Sequence, residues 1–97
     1  MCYTDFMIGS FRHKGLARLY MDDDPTGVRT DLVERCRRRL GALESAERVE
    51  ELRVPGFDFH RLHGKPLRYS VHVNGPWCIT FEWEDATAWR VDLEQYH

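Results

Sequence analysis

The segment Tyr69-Ser-Val-His-Val-Asn-Gly-Pro-Trp-Cys-Ile-Thr-Phe-Glu-Trp-Glu84 decides the fold. Tyr69, Val71 and Val73 alternate with Ser70, His72 and Asn74, and Trp77, Ile79, Phe81 and Trp83 alternate with Cys78, Thr80, Glu82 and Glu84. Successive strand side chains point to opposite faces, so this pattern predicts two strands sharing one apolar and one polar face. Asn74-Gly75 between them is a hairpin signal. Downstream, Trp89, Val91 and Leu93 alternate with Arg90, Asp92 and Glu94 and predict another strand. Upstream, Phe57 and Phe59 alternate with Asp58 and His60, a strand expected to run out at His60.

Pro55-Gly56 marks a change of period. Before it, Leu16, Leu19 and Tyr20 recur at helical spacing, which predicts a short helix over 12–20, ended by Asp22-Asp23-Asp24-Pro25-Thr26-Gly27. The clearest helix follows. Asp31 and Glu34 have capping-box spacing, and Leu32, Val33, Cys36, Leu40 and Leu43 form its apolar stripe. Arg35, Arg37, Arg38 and Arg39 fall mostly off that stripe and are expected on a solvated basic face. A short polar helical segment is expected over 45–52, and any first strand must lie within 7–11. The order of elements predicts an α+β domain, with two to three N-terminal helices packed on one face of a mainly antiparallel sheet.

The chain has 97 residues, 42% hydrophobic and 31% charged, which predicts one domain over 1–97. The core needs no staples: Cys2, Cys36 and Cys78 are odd in number, widely spaced and contain no C-x-x-C pair, so a reducing cytoplasm is the expected home. No stretch approaches the roughly 18 apolar residues of a membrane span, so no membrane partner is expected. The net charge of −2 tells against nucleic acid when taken alone. By segment, residues 1–51 carry −1, 52–80 carry +3 with His60, His63 and His72 among them, and 81–97 carry −4. Two local cationic patches therefore exist, the middle segment and the 35–39 arginines, and either could meet a polyanion.

No nucleophile elbow, phosphate loop, dinucleotide fingerprint or H-E-x-x-H occurs. His60-Arg-Leu-His63 has two imidazoles and no nearby third ligand, too few for a zinc site, and no cofactor is expected. Imidazole titrates near neutrality, which suits acid/base work. Trp77, Trp83 and Trp89 lie on the apolar alternation and are expected in the core, and nothing around Cys78 on the polar face predicts a lowered thiol pKa.

Five blocks carry a family resemblance: Met7-Ile-Gly-Ser-Phe-Arg-His-Lys-Gly-Leu-Ala-Arg-Leu-Tyr20, Pro55-Gly56 followed by Phe59-His-Arg-Leu62, Tyr69-Ser-Val-His-Val-Asn-Gly75, Trp77-Cys-Ile-Thr-Phe81 and Tyr96-His97. Together they resemble the HigB group of plasmid-maintenance killer proteins in the RelE toxin superfamily. The resemblance spans residues 7–97 and leaves 1–6 as an N-terminal extension. It implies a helix-on-sheet toxin neutralised by a helix-turn-helix antitoxin of the HigA kind. It also implies cleavage of messenger RNA in the ribosomal A site by metal-free attack of a ribose 2′-hydroxyl on the adjacent phosphate. That reaction needs a base, cations around the phosphorane and an acid for the leaving 5′-oxygen.

Carried over by motif, the family's strand histidine falls on His60 and its closing pair on Tyr96 and His97. Its usual H-P-L-K becomes His60-Arg-Leu-His63, its W-R-I-T-F becomes Trp77-Cys-Ile-Thr-Phe81, and its D-Y-H becomes Gln95-Tyr-His97. A permanent cation, an arginine and a carboxylate are thus replaced at His63, Cys78 and Gln95. The resemblance places His60, His63, Tyr96 and His97 in catalytic positions and Cys78 and Gln95 against RNA phosphates; the loop after Gly64 is one residue shorter than the family's, and Arg61, Lys65 and Arg68, from their placement beside His60, are expected phosphate contacts that could supply the cation missing at Cys78. Three functions fit: an active ribosome-dependent endoribonuclease, a toxin fold that has lost cleavage and binds antitoxin or RNA, or a toxin-fold enzyme with changed substrate or base preference.

Overall fold

A computed structural model describes residues 8–95. Helix α1 spans Lys14–Asp22 and helix α2 Val33–Ser45, followed by strands β1 (His60–Leu62), β2 (Arg68–Asn74), β3 (Trp77–Glu84) and β4 (Thr87–Gln95). The strands form one antiparallel sheet in chain order. This is the expected α+β architecture, and the β2–β3 and β3–β4 hairpins have two-residue loops. Gly75 takes φ +56 ahead of Pro76, a positive then a fixed negative φ as a type II′ turn requires; Asp85 and Ala86 both lie at positive φ, as type I′ requires.

Helix α1 is capped by His13, whose Nδ1 accepts from the Leu16 amide at 3.1 Å. It ends where Asp23 turns left-handed and Asp24 N–H reaches back to the Arg18 carbonyl. Gly15 of this helix abuts the Gly27 backbone so closely that a Cβ on either would collide with main chain. Leu16 and Leu19 from α1, Leu32 ahead of α2, and Cys36, Leu40 and Leu43 from α2 are buried against Val71, Val73, Ile79, Phe81, Val91 and Leu93 of the sheet. Burying a side chain of this size contributes roughly 1.5–3 kcal/mol, so this single interface dominates stability. At the β1 side of the same face, Phe59, Tyr69 and Phe81 stack at 5.6 and 5.8 Å.

Several local expectations are corrected. The capping box does not form: Asp31 sits in a 3-10 turn, Thr30–Leu32, and is held by Arg29 at 2.9 and 3.1 Å, while Glu34 faces Arg37. Arg39 is not solvated. It is 7% exposed, donates to the carbonyls of His72, Gly56 and Arg35 and lies 4.5 Å from the Phe57 ring. The short polar helical segment expected over 45–52 is present in part, as a 3-10 helix at Val49–Leu52. The strand expected to end at His60 begins there, because Asp58 at φ +47 breaks the extended run. The three tryptophans are half-buried rather than fully enclosed. Of the stretch 7–11, Ile8 and Phe11 form isolated parallel bridges to Ala88 and Val91 instead of a strand. Opposite them, Arg90 at φ +51 lies in a β4 bulge that shifts the register against β3. Among the described residues no helix is long and apolar enough to cross a membrane.

Candidate functional site on the open face of the sheet

Strand parity sorts the sequence-predicted residues. His60 pairs with Ser70, Ser70 with Thr80 and Thr80 with Asp92, a row on the face away from the helices. His72, Cys78 and Glu94 form a second row on that face. Arg68 shares it by alternation with Tyr69. Arg61 pairs with Tyr69, and Gln95 with Trp77, so both belong to the opposite face, with Val71 and Ile79. His63 and Lys65 are exposed in the loop between β1 and β2. The fold therefore sets His60, Arg68 and Cys78 on one face, in different rows, and puts Arg61 and Gln95 on the other. Tyr96 and His97 lie outside the described residues.

The centre of this face is a diagonal across three strands. Arg68 Nη1 on β2 donates to Glu94 Oε2 on β4 at 2.9 Å, and the Thr80 hydroxyl on β3 donates to the same oxygen. Thr80 is fully buried, so its hydroxyl anchors the carboxylate from beneath. Two-thirds burial of both charged side chains makes this pair stronger than an exposed one. Glu94 and Thr80 did not figure among the expected site residues, although alternation with Leu93 and Ile79 places both on the polar face.

His60 heads β1 at the rim. Its Nδ1 is 2.7 Å from the Asp58 carbonyl, which can only accept, so Nδ1 carries a proton and Nε2 is the ring nitrogen that holds the lone pair in the neutral tautomer. His72 is fixed in the opposite sense, with Nε2 donating to the Gly75 carbonyl at 2.9 Å. Burial first, then the carboxylates of Asp58 and Glu94, raise the Cys78 thiol above its ordinary pKa. Cys78 is thus a neutral thiol at neutral pH and supplies no charge. Arg68, through its bond to Glu94, brings a guanidinium to this face.

A base with a lone pair, a seated guanidinium and small hydroxyl side chains in one shallow face suit an extended anionic substrate better than an enclosed small molecule. The matching family model is that of the RelE-like toxin of the type II toxin-antitoxin system HigB, over residues 9–97. The chain is also 36% identical over 92 residues to the endoribonuclease HigB of Proteus vulgaris, covering 94% of this chain and 100% of that protein. The chain therefore belongs to the HigB-like family of RelE-like toxins, whose members work in type II toxin-antitoxin systems.

Proposed function

We propose that this toxin is an endoribonuclease that cleaves messenger RNA in the ribosomal A site, in the cytoplasm, and is held silent by a helix-turn-helix antitoxin of the HigA kind. Residues 1–97 act as one toxin domain with 1–6 as an extension. The observation that supports cleavage is the shared face of His60 and Arg68, a base and a cation within one sheet. His60 Nε2 takes the proton of the 2′-hydroxyl as the O2′–P bond forms. Arg68 stabilises the extra negative charge on the phosphorane oxygens while the P–O5′ bond breaks, and His97 protonates the departing 5′-oxygen. Tyr96 stacks or hydrogen-bonds against the substrate. His63 and Lys65, from their loop, contact flanking phosphates. No step requires a metal or cofactor.

Arg68 takes over the charge that Cys78 lacks. Arg61 points to the other face, and Lys65 lies outside the strands, so neither competes for that role as directly. Induction of the wild type, His60→Ala and His97→Ala in a host without antitoxin, with messenger 5′ ends mapped, tests the reading. In-frame cuts at ribosome-occupied codons, lost in both variants, are expected. Unimpaired growth and intact messenger with the wild type would replace it with a binding module that does not cut.

A further inference from the structure

Behind the edge of the open face lies a cleft of about 600 Å³ that the reading above leaves unused. It runs between Arg35 and Arg38 of α2, the Pro55–Phe57 turn, and the Val73–Asn74 end of β2. Its lining contains no carboxylate. Arg35 and Arg38 are both exposed, and neither joins an ion pair among the described residues. Arg39 forms the floor, with its donors directed to main-chain carbonyls.

Three guanidinium groups within one helical turn repel one another, and ordinary surface helices relieve such crowding with interleaved acids. Here the neighbouring acid, Glu34, is turned to Arg37 on the other side. Burial first, and then the charges of Arg35 and Arg38, lower the pKa of Arg39, consistent with uncompensated positive potential in the cleft. A planar guanidinium matches phosphate bidentately, and two of them one helical step apart suit consecutive phosphodiesters.

We propose that the Arg35–Arg38 cleft is a second RNA site, binding the phosphate backbone independently of base sequence. The proposal rests on the RNA-directed reading of the open face and favours RNA over an acidic peptide because of continuity. His72 lines the cleft, yet its row on the sheet is that of Cys78 and Glu94, so a strand crossing the end of β2 meets both surfaces. The cleft grips backbone, and the open face performs the chemistry.

The test uses the full chain and a fluorescein-labelled 20-nucleotide 2′-O-methyl RNA, which cannot be cleaved, titrated from 50 to 300 mM salt. Each phosphate contact to single-stranded RNA contributes about −0.7 to the slope of log K against log salt. Arg35→Gln/Arg38→Gln should flatten the slope by about 1.4 and weaken binding roughly tenfold or more at the low-salt end, whereas Arg35→Lys/Arg38→Lys should keep most of the slope. An unchanged slope and affinity in the glutamine variant, or wild-type preference for a labelled poly-glutamate peptide over the RNA, would overturn the proposal. A parallel circular dichroism melt shows that the variant is folded; neither arginine side chain supports the core. Messenger cleavage is read separately, so a toxin that fails to cut while its slope still depends on Arg35 and Arg38 rejects the cleavage reading and retains the cleft.

Discussion

Arg68 and Glu94, 26 residues apart in sequence and on strands that are not neighbours, meet at 2.9 Å over the buried hydroxyl of Thr80. The cation is thereby seated before any substrate arrives, and preorganised charge is what a developing phosphorane needs. Arg68→Ala should lower the rate of messenger cleavage on the order of a hundredfold, with Arg68→Lys recovering part of it. Quantified 5′-end formation on ribosome-bound messenger measures this, and wild-type rates in Arg68→Ala would remove the residue from the mechanism.

Arg39 belongs to the fold rather than to the basic surface. Its loss strands the carbonyls of His72 and Gly56 and uncovers Phe57. Hydrogen bonds from a charged donor contribute about 1.5–3 kcal/mol each, so Arg39→Ala should lower unfolding free energy by roughly 2–4 kcal/mol in urea titration. Arg38→Ala, one residue away and exposed, should change it by less than about 0.5 kcal/mol.

Ala86 occupies a left-handed position, φ +57, in the β3–β4 turn. A side chain with a Cβ costs about 1–2 kcal/mol there, and glycine avoids most of it. Ala86→Gly should therefore stabilise the protein by up to about 1 kcal/mol in the same titration, the reverse of the usual effect of glycine in a sheet.

Cys36 lies in the sealed interface between α2 and the sheet, and burial raises its pKa to about 11 against an ordinary 9.0. The folded state holds this proton where the unfolded chain has released it. The stability it contributes is full below pH 9 and declines as pH rises towards 11. Urea midpoints taken from pH 8 to 10.5 should fall more steeply in the wild type than in Cys36→Ala, and matching slopes would contradict this. Iodoacetamide should leave Cys36 unmodified until the protein unfolds.

Alternation over 69–94 makes the sheet and its faces legible in the sequence, and Asn74-Gly75 its β2–β3 hairpin, whereas Asp85-Ala86 carries no such signal. The same parity already separated Arg61 from His60 and placed Glu94 on the polar face; the grouping of site residues by neighbourhood in sequence obscured both. Arg39 was illegible for another reason. Two of its carbonyl partners lie 17 and 33 residues away, and a helical wheel records side-chain polarity rather than main-chain acceptors brought in by tertiary packing. Asp58 likewise breaks the first strand through a backbone angle that alternating Phe57 and Phe59 do not reveal.

The parallel bridges of Ile8 and Phe11 to β4 have a bearing on colloidal behaviour. An outer strand with bare amides and carbonyls is a template for a second molecule. Here Gly9 and Arg12 N–H groups occupy the Ala88 and Val91 carbonyls, Ser10 takes the Val91 amide, and the Arg90 bulge twists the remainder away. At the far side, β1 offers only three residues, two of them the exposed His60 and Arg61. Among the described residues the Ala88–Val91 stretch of β4 is thus occupied and β1 exposes only a short margin, which disfavours edge-to-edge pairing through either stretch.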